Sequence, residues 1–133
     1  MVNSRAKGAQ FERAIAGFLT EELCGPDEKF VRDLEQYRQT DHGDIIAQNM
    51  ERWPWVIECK RYKSGDKMRP EWWEQAKKAA DRVGRWPCVI YKFDHRDTRV
   101  VVPLHVVMGE NEDNGLVCVL DLEGFVYLAR ELI

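Results

Sequence analysis

The chain has 133 residues, of which 44% are hydrophobic and 32% are charged, with a net charge of −3. This length suits one compact core and excludes a Rossmann enzyme with a separate substrate domain, a TIM barrel or a kinase. The longest stretch without a charge, 100–109, is too short to cross a membrane. The N-terminus leads into no apolar signal core, so we expect a cytoplasmic protein.

The charge is unevenly distributed along the chain. Residues 1–51 contain 6 basic and 10 acidic side chains, residues 52–85 contain 10 basic and 5 acidic, and residues 86–133 contain 4 basic and 8 acidic. The overall pI of 5.7 argues against indiscriminate nucleic-acid binding, whereas the middle third is basic enough to face a phosphate backbone. Solvated Lys and Arg side chains would explain the same charges.

The first half of the chain predicts a helix followed by strands. Its helical stripe consists of Phe11, Ile15, Phe18, Leu19 and Leu23, and Gly25-Pro26 terminates it. The segment 27–40 fits either a helical face or a short helix that runs into an edge strand. The apolar runs 44–47 and 55–60 flank a short polar connection, which predicts an antiparallel hairpin.

The second half predicts a helix over 70–83 that begins with Pro70 and stops at Gly84, and one of its paired residues Trp72 and Trp73 should enter the core. Strands follow at 87–93, 99–104 and 116–120, and His105 should be a satisfied core residue. The segment 125–133 is apolar enough to cover a sheet edge or to form a homodimer contact. This order predicts a single α/β domain over 1–133, a mixed central β-sheet flanked by helices, with 104–133 as a C-terminal extension that adds a strand.

Glu58 and Lys60 lie two residues apart in a predicted strand, so they project from one face while Cys59 points into the core. Asp44 opens the strand expected to pair with this one, which would place two carboxylates side by side. A divalent cation relieves their repulsion, and oxygen ligands without a His or Cys cluster favour Mg²⁺ or Mn²⁺ over zinc. A plain cross-strand ion pair of Lys60 with the two acids would use the same residues. The four cysteines form no CxxC pair, so we expect neither zinc nor a disulfide framework.

Several motifs in fixed order resemble the PD-(D/E)xK nuclease superfamily, and within it the archaeal-type and phage Holliday-junction resolvases. The resemblance covers about three quarters of the chain, from Arg5 to Pro103, and offers no counterpart for 104–133. Its motifs are KGAQFER at 7–13, TDHGDIIA at 40–47, VIECK at 56–60, WPCVIYKF at 86–93 and RVVV at 99–102. The resemblance implies a restriction-endonuclease-like fold and a Mg²⁺-dependent endonuclease that leaves 5′-phosphate ends, with Mn²⁺ as a substitute.

The same resemblance assigns roles to the site residues. It implies that Asp44, Glu58 and the backbone carbonyl of Cys59 are metal ligands, and that Glu12 is an additional acidic ligand. It makes Lys60 the catalytic lysine, and Gln75 matches a glutamine that many members place behind the site.

DNA contacts are expected at three places. Thr40 falls where the resolvases often carry a hydroxyl residue that contacts DNA, and His42 could touch the metal shell or a phosphate. We further expect DNA contacts from basic residues at the start of the first helix and just after the catalytic strand: Lys7, Arg13, Arg61, Lys63, Lys67 and Arg69.

The sequence therefore predicts a structure-selective endonuclease that cuts four-way junctions. Symmetric cutting needs two active sites related by a two-fold axis, which favours a homodimer. The small size suits a phage or a mobile element. Two alternatives stay open: a restriction-like or phage genome-processing endonuclease of the same fold, and a non-catalytic DNA-binding module.

Overall fold

The computed structural model describes residues 4–34 and 43–133. Within these ranges it contains six strands and four helices. The helices are α1 (Ser4–Leu23), α2 (Pro70–Val83), α3 (Leu104–Met108) and α4 (Leu122–Leu132). The strands are β1 (Lys29–Arg32), β2 (Ile45–Gln48), β3 (Trp55–Tyr62), β4 (Trp86–Phe93), β5 (Arg99–Pro103) and β6 (Val117–Leu120).

The six strands form one mixed sheet whose spatial order equals their chain order. Neighbouring strands are antiparallel except β3 and β4, which are parallel over eight residue pairs. The parallel pair requires a crossover connection, and α2 supplies it. Gly84 ends α2 in the left-handed conformation with φ of 66°, as the sequence predicts. The expected mixed sheet flanked by helices is confirmed.

Helices cover both faces of the sheet. On one face, buried residues of α1 and α4 pack with the side chains of β3 and β5, including Leu19, Phe125 and Ile57. On the other face, Trp72 and Ala76 of α2 pack on β4 and β5. Trp72 is therefore the core tryptophan, while Trp73 is half-buried beside it. Because α1 and α2 lie on opposite faces, β3 can receive side chains from both helices.

Two segments whose prediction was open are now assigned, and one strand is shorter than predicted. In 27–40, the described part forms the edge strand β1, so the helical interpretation is wrong there. The strand expected over 99–104 ends at Pro103, because proline lacks an N–H for the ladder and suits the position just before a helix. The unassigned tail forms α4, whose N-cap Asp121 accepts a 2.7 Å hydrogen bond from the N–H of Gly124.

His105 was expected to be a satisfied core residue and is so only in part. Its side chain is buried in α3, but its Nδ1 makes no hydrogen bond and lies 3.6 Å from Oδ1 of Asp113.

None of the helices in the described ranges is both long enough and apolar enough to cross a membrane.

Candidate active site

The candidate site lies where β2 separates from β3. Gly43 precedes Asp44 with φ of 70°, and a Cβ at this position would stand 2.5 Å from the carbonyl oxygen of Ile57. Only glycine therefore permits this close approach of the two backbones. The backbone N–H of Asp44 then donates a 2.7 Å hydrogen bond to the same carbonyl. The chain thus fixes Asp44 directly against β3.

Beyond the end of the β2–β3 backbone pairing, the side chain of Asp44 forms the next hydrogen bond with β3. Its Oδ2 accepts a 2.7 Å hydrogen bond from the backbone N–H of Cys59. In a strand, the N–H and C=O of one residue point to the same side, so the Cys59 carbonyl is also directed to this edge. Asp44, Cys59 and Glu58 are therefore neighbours, as the sequence predicts for a carboxylate pair beside a backbone oxygen.

Glu58 is only 4% exposed, and its carboxyl group is hydrogen-bonded to that of Asp44. Burial, followed by the negative charge and the hydrogen bond of Asp44, raises the pKa of Glu58 to about 8 against the opposing charge of Lys60. Burial also raises the pKa of Asp44, opposed by the Cys59 N–H and by Glu58. Two carboxyl groups in contact, one buried and the other half-buried, favour a shared proton between them or a bound cation in its place.

Glu12 reaches the site from α1, where it is 8% exposed. Its Oε2 accepts a 2.9 Å hydrogen bond from Nε of Arg32 in β1. Burial raises the pKa of Glu12, the bond from Arg32 opposes the shift, and the charge of Asp44 adds to it. Arg32 thus compensates the charge of Glu12, which otherwise would add to that of the carboxyl pair.

In residues 4–34 and 43–133, no three His, Cys, Asp or Glu side chains are grouped so that they could hold one metal ion. The donor set that fits a hard divalent cation is therefore smaller than a three-carboxylate cluster. It comprises the carboxyl groups of Asp44 and Glu58 with the carbonyl of Cys59, all oxygen donors of the kind that Mg²⁺ prefers. Glu12, tied to Arg32, stands outside this set.

Lys60 is held by α2, which lies on the face of the sheet opposite to α1. Its Nζ donates a 2.9 Å hydrogen bond to Oε1 of Gln75 in α2. The parallel crossover brings Gln75 over β3, so the amide fixes the ammonium group beside the carboxyl pair.

A groove of about 600 Å³ adjoins Lys60. Its described lining is rich in cations and consists of Arg5, Lys7, Cys59, Lys60, Arg61, Tyr62 and Lys63. Two of the predicted DNA-binding residues, Lys7 and Arg61, already have an acidic partner in Asp94, whose Oδ1 lies 2.6 Å from Lys7 and 2.7 Å from Arg61. These contacts lower the pKa of Asp94 to about 2.

The other predicted DNA-binding residues are either exposed or outside the described ranges. Arg13, Lys63 and Lys67 are exposed. Arg69 is exposed too, and its guanidinium group lies over the ring of Tyr62. Thr40 and His42 fall outside the described residues.

Sequence reasoning missed three residues of this region. Asp33 is buried next to Asp44, donates its N–H to the Asp44 carbonyl at 3.0 Å, and its charge raises the pKa of Asp44. Arg32 pairs with Glu12, and Asp94 pairs with two cations. The β1–β2 register, which aligns Arg32 with Ile45, places Asp33 opposite Asp44. Assigning 29–32 as an edge strand paired with β2 would have predicted that Asp33 lies beside Asp44.

Comparisons with known proteins identify the fold and the family. No curated protein sequence matches the chain. The structure is similar to that of Hjc, a Holliday junction resolvase from the archaeal hyperthermophile Archaeoglobus fulgidus, with a TM-score of 0.55 and 19% sequence identity. The match covers 93% of this chain and 99% of that one. It therefore includes most of 104–133, for which the sequence resemblance offered no counterpart, and the restriction-endonuclease-like fold is confirmed.

A sequence profile for the family described as "Phage putative PDDEXK endonuclease" matches residues 3–119. The match spans most of the chain and includes every residue assigned to the candidate site. The expected superfamily is thus confirmed, and the chain belongs to this family of phage PDDEXK endonucleases.

Proposed function

We propose that the protein is a divalent-metal-dependent DNA endonuclease selective for branched DNA, of the Holliday-junction resolvase type. The observation that carries the proposal is the buried, hydrogen-bonded carboxyl pair of Asp44 and Glu58 beside an ammonium group that Gln75 holds in place. A plain ion pair needs no second buried carboxylate, and burial of two is costly without a cation.

The metal ligands in this proposal are Asp44, Glu58 and the Cys59 carbonyl, with Mg²⁺ as the ion and Mn²⁺ as a substitute. A bound divalent cation would neutralise the two carboxylates and act as a Lewis acid toward a phosphodiester. Glu12 lies close enough for its charge to raise the pKa of Glu58. Its bond to Arg32 suits an outer role, in which it orients water rather than binding the ion.

Lys60 supplies the positive charge that the reaction needs at the phosphate. Its ammonium group would stabilise negative charge that develops on the phosphate oxygens, or orient the attacking water. Gln75 removes part of the freedom of this long side chain, so less entropy is lost when Lys60 engages the phosphate. Lys60 acts directly in this proposal, and Gln75 is a positioning residue.

The basic groove beside Lys60 suits the DNA backbone. Lys7, Arg61 and Lys63 line it, and Lys67 and Arg69 follow on the same connection to α2. Each phosphate that they neutralise releases counterions, so binding should weaken as salt rises. Arg13, Thr40 and His42 stay predicted contacts.

Two further parts of the proposal follow from the substrate. Symmetric cutting of a four-way junction requires two sites, so we infer a homodimer, built from a single-domain chain. A phage enzyme that acts on DNA would work in the cytoplasm of its host.

Cleavage of matched substrates tests this proposal. A synthetic four-way junction, a linear duplex and a single strand are incubated with Mg²⁺ or with EDTA. Asp44→Asn and Glu58→Gln are compared with the exposed controls Asp97→Asn and Glu110→Gln. We expect paired nicks in the junction, lost in EDTA and in the two site variants but kept in the controls.

Other outcomes select the alternatives. Cutting of all three substrates would keep the chemistry and favour a restriction-like or genome-processing endonuclease, which the family description also fits. Junction binding without cutting in Mg²⁺ or Mn²⁺ would show a non-catalytic DNA-binding module.

A further inference from the structure

Tyr62 is an exposed aromatic residue at the edge of the candidate site. It follows Glu58 and Lys60 at two-residue intervals in β3, so all three side chains project from the same face. Tyr62 lies about 7 Å beyond Lys60 along the strand, given a rise of about 3.3 Å per residue. Its side chain is 38% exposed, and among the described residues that line the basic groove it is the only aromatic one.

The Tyr62 ring is supported from behind. The buried Trp72 of α2 stacks on it, with ring centroids 5.1 Å apart and an interplanar angle of 20°. The guanidinium carbon of Arg69 lies 4.5 Å from the Tyr62 centroid and 5.2 Å from the Trp72 centroid. Groups in contact with opposite faces of one ring would be about 7 Å apart or more, since each needs about 3.5 Å. Arg69 and Trp72 therefore do not lie on opposite faces of Tyr62.

The exposed part of the Tyr62 side chain borders the basic groove. An aromatic face beside a row of cations is the arrangement by which proteins bind unpaired nucleotides, with the cations on the backbone and the ring against a base. A base inside a continuous duplex has both faces covered by its neighbours. Only a base that is unpaired, or that lies at a branch or an end, can stack on a protein ring without a large unstacking cost.

We propose that Tyr62 stacks on a base whose face is exposed at the branch point, next to the phosphodiester that is cut, and so directs the enzyme to branched DNA. The inference rests on the proposed function, because it locates the base relative to Asp44, Glu58 and Lys60. It makes Tyr62 a specificity-determining residue, with Arg69 and Trp72 holding its ring in place.

Binding measurements in EDTA test the inference without cleavage. The substrates are a branched DNA with 2-aminopurine as the base at the branch point, the same DNA with an abasic position there, and a linear duplex. Wild type is compared with Tyr62→Phe, Tyr62→Leu and the remote exposed control Met108→Ala. Thermal melting confirms that each variant is folded.

We expect wild type and Tyr62→Phe to change the 2-aminopurine emission and to bind equally, because the ring does the stacking. Tyr62→Leu should lose the emission change and bind the branched DNA about 5- to 150-fold more weakly, with duplex affinity unchanged. The abasic substrate should weaken wild type by the same factor and should not weaken Tyr62→Leu further. Should Tyr62→Leu not fold, the emission change and the abasic substrate still decide the matter with wild type.

Equal binding of intact and abasic substrates by wild type, with no change in emission, would overturn the inference. So would an equal loss of duplex and branched binding in Tyr62→Leu, which indicates a backbone contact instead. The proposed function fails separately: a protein that stacks the base but cuts no DNA refutes the nuclease alone, and one that cuts branched DNA without stacking refutes this inference alone.

Discussion

Gln75 accepts a 2.9 Å hydrogen bond from Nζ of Lys60, and this contact joins α2 to the strand that bears the candidate site. The two residues are fifteen positions apart in sequence and meet because β3 and β4 are parallel and need α2 between them. The bond restricts the orientations that the ammonium group can adopt.

Loss of this contact should slow the reaction without weakening DNA binding. We expect Gln75→Met, which keeps the length but not the acceptor, to lower kcat by about 10-fold, because a misplaced group loses transition-state stabilisation. KM should stay within twofold. Single-turnover cleavage of the junction checks this, with the exposed Gln48→Met as control. A change in KM alone would contradict a positioning role.

The stability of the metal-free protein should fall as pH rises from about 5 to 8. The folded-state pKa of Glu58 is about 8, against a model value of 4.5. Between these values the folded state binds more protons than the unfolded state, so its advantage is complete below about 4.5 and is lost as pH rises through about 8. Thermal melting in EDTA across this range measures the effect.

Glu58→Gln provides the control, because the amide does not titrate. Its melting temperature should vary less between pH 5 and 8 than that of wild type. Mg²⁺ should raise the melting temperature of wild type more at pH 8 than at pH 5.5, and should not raise that of Glu58→Gln. An equal pH dependence of the two proteins would show that Glu58 is not the titrating group.

Asp94 should limit the affinity for DNA, because its carboxylate occupies Lys7 and Arg61. Asp94→Asn frees both cations for phosphates, so we expect tighter DNA binding and a steeper dependence of log K on log salt, by up to about 1.8. Conversely, Lys63→Ala should reduce the slope by about 0.9. Asp97→Asn, in the same turn, should leave it unchanged. Fluorescence anisotropy at several salt concentrations gives these slopes, and an unchanged slope in Asp94→Asn would disprove the competition.

Gly43 should be indispensable for the geometry of Asp44. Gly43→Ala adds a Cβ 2.5 Å from the Ile57 carbonyl at a positive φ, which should destabilise the fold by about 1–3 kcal/mol and displace Asp44. Gly84→Ala is the matched control, since it has a similar φ of 66° but open space around the new Cβ. We expect both to lower the melting temperature and only Gly43→Ala to abolish cleavage. Retained cleavage in a folded Gly43→Ala protein would show that the close approach is dispensable.

The sequence alone was enough to predict most of the local elements and to select the residues of the candidate site. Apolar periodicity located α1, Pro70 and Gly84 marked the ends of α2, and alternation along β3 placed Glu58 and Lys60 on one face. These features depend on neighbours within one or two turns or along one strand, which is why periodicity reveals them. The tail 122–132 and the short α3 were not assigned, because brief apolar runs fit a helix and a strand equally well.

Tertiary structure decided the partners of these residues. The β1–β2 register brought Asp33 beside Asp44, the bond from Arg32 offset the charge of Glu12, and Asp94 took up two cations expected to face DNA. Stacking of Tyr62 on Trp72 likewise required the crossover through α2. Charge pairs and buried contacts join residues that are distant in sequence. Because such contacts leave no periodic pattern in the sequence, periodicity does not reveal them.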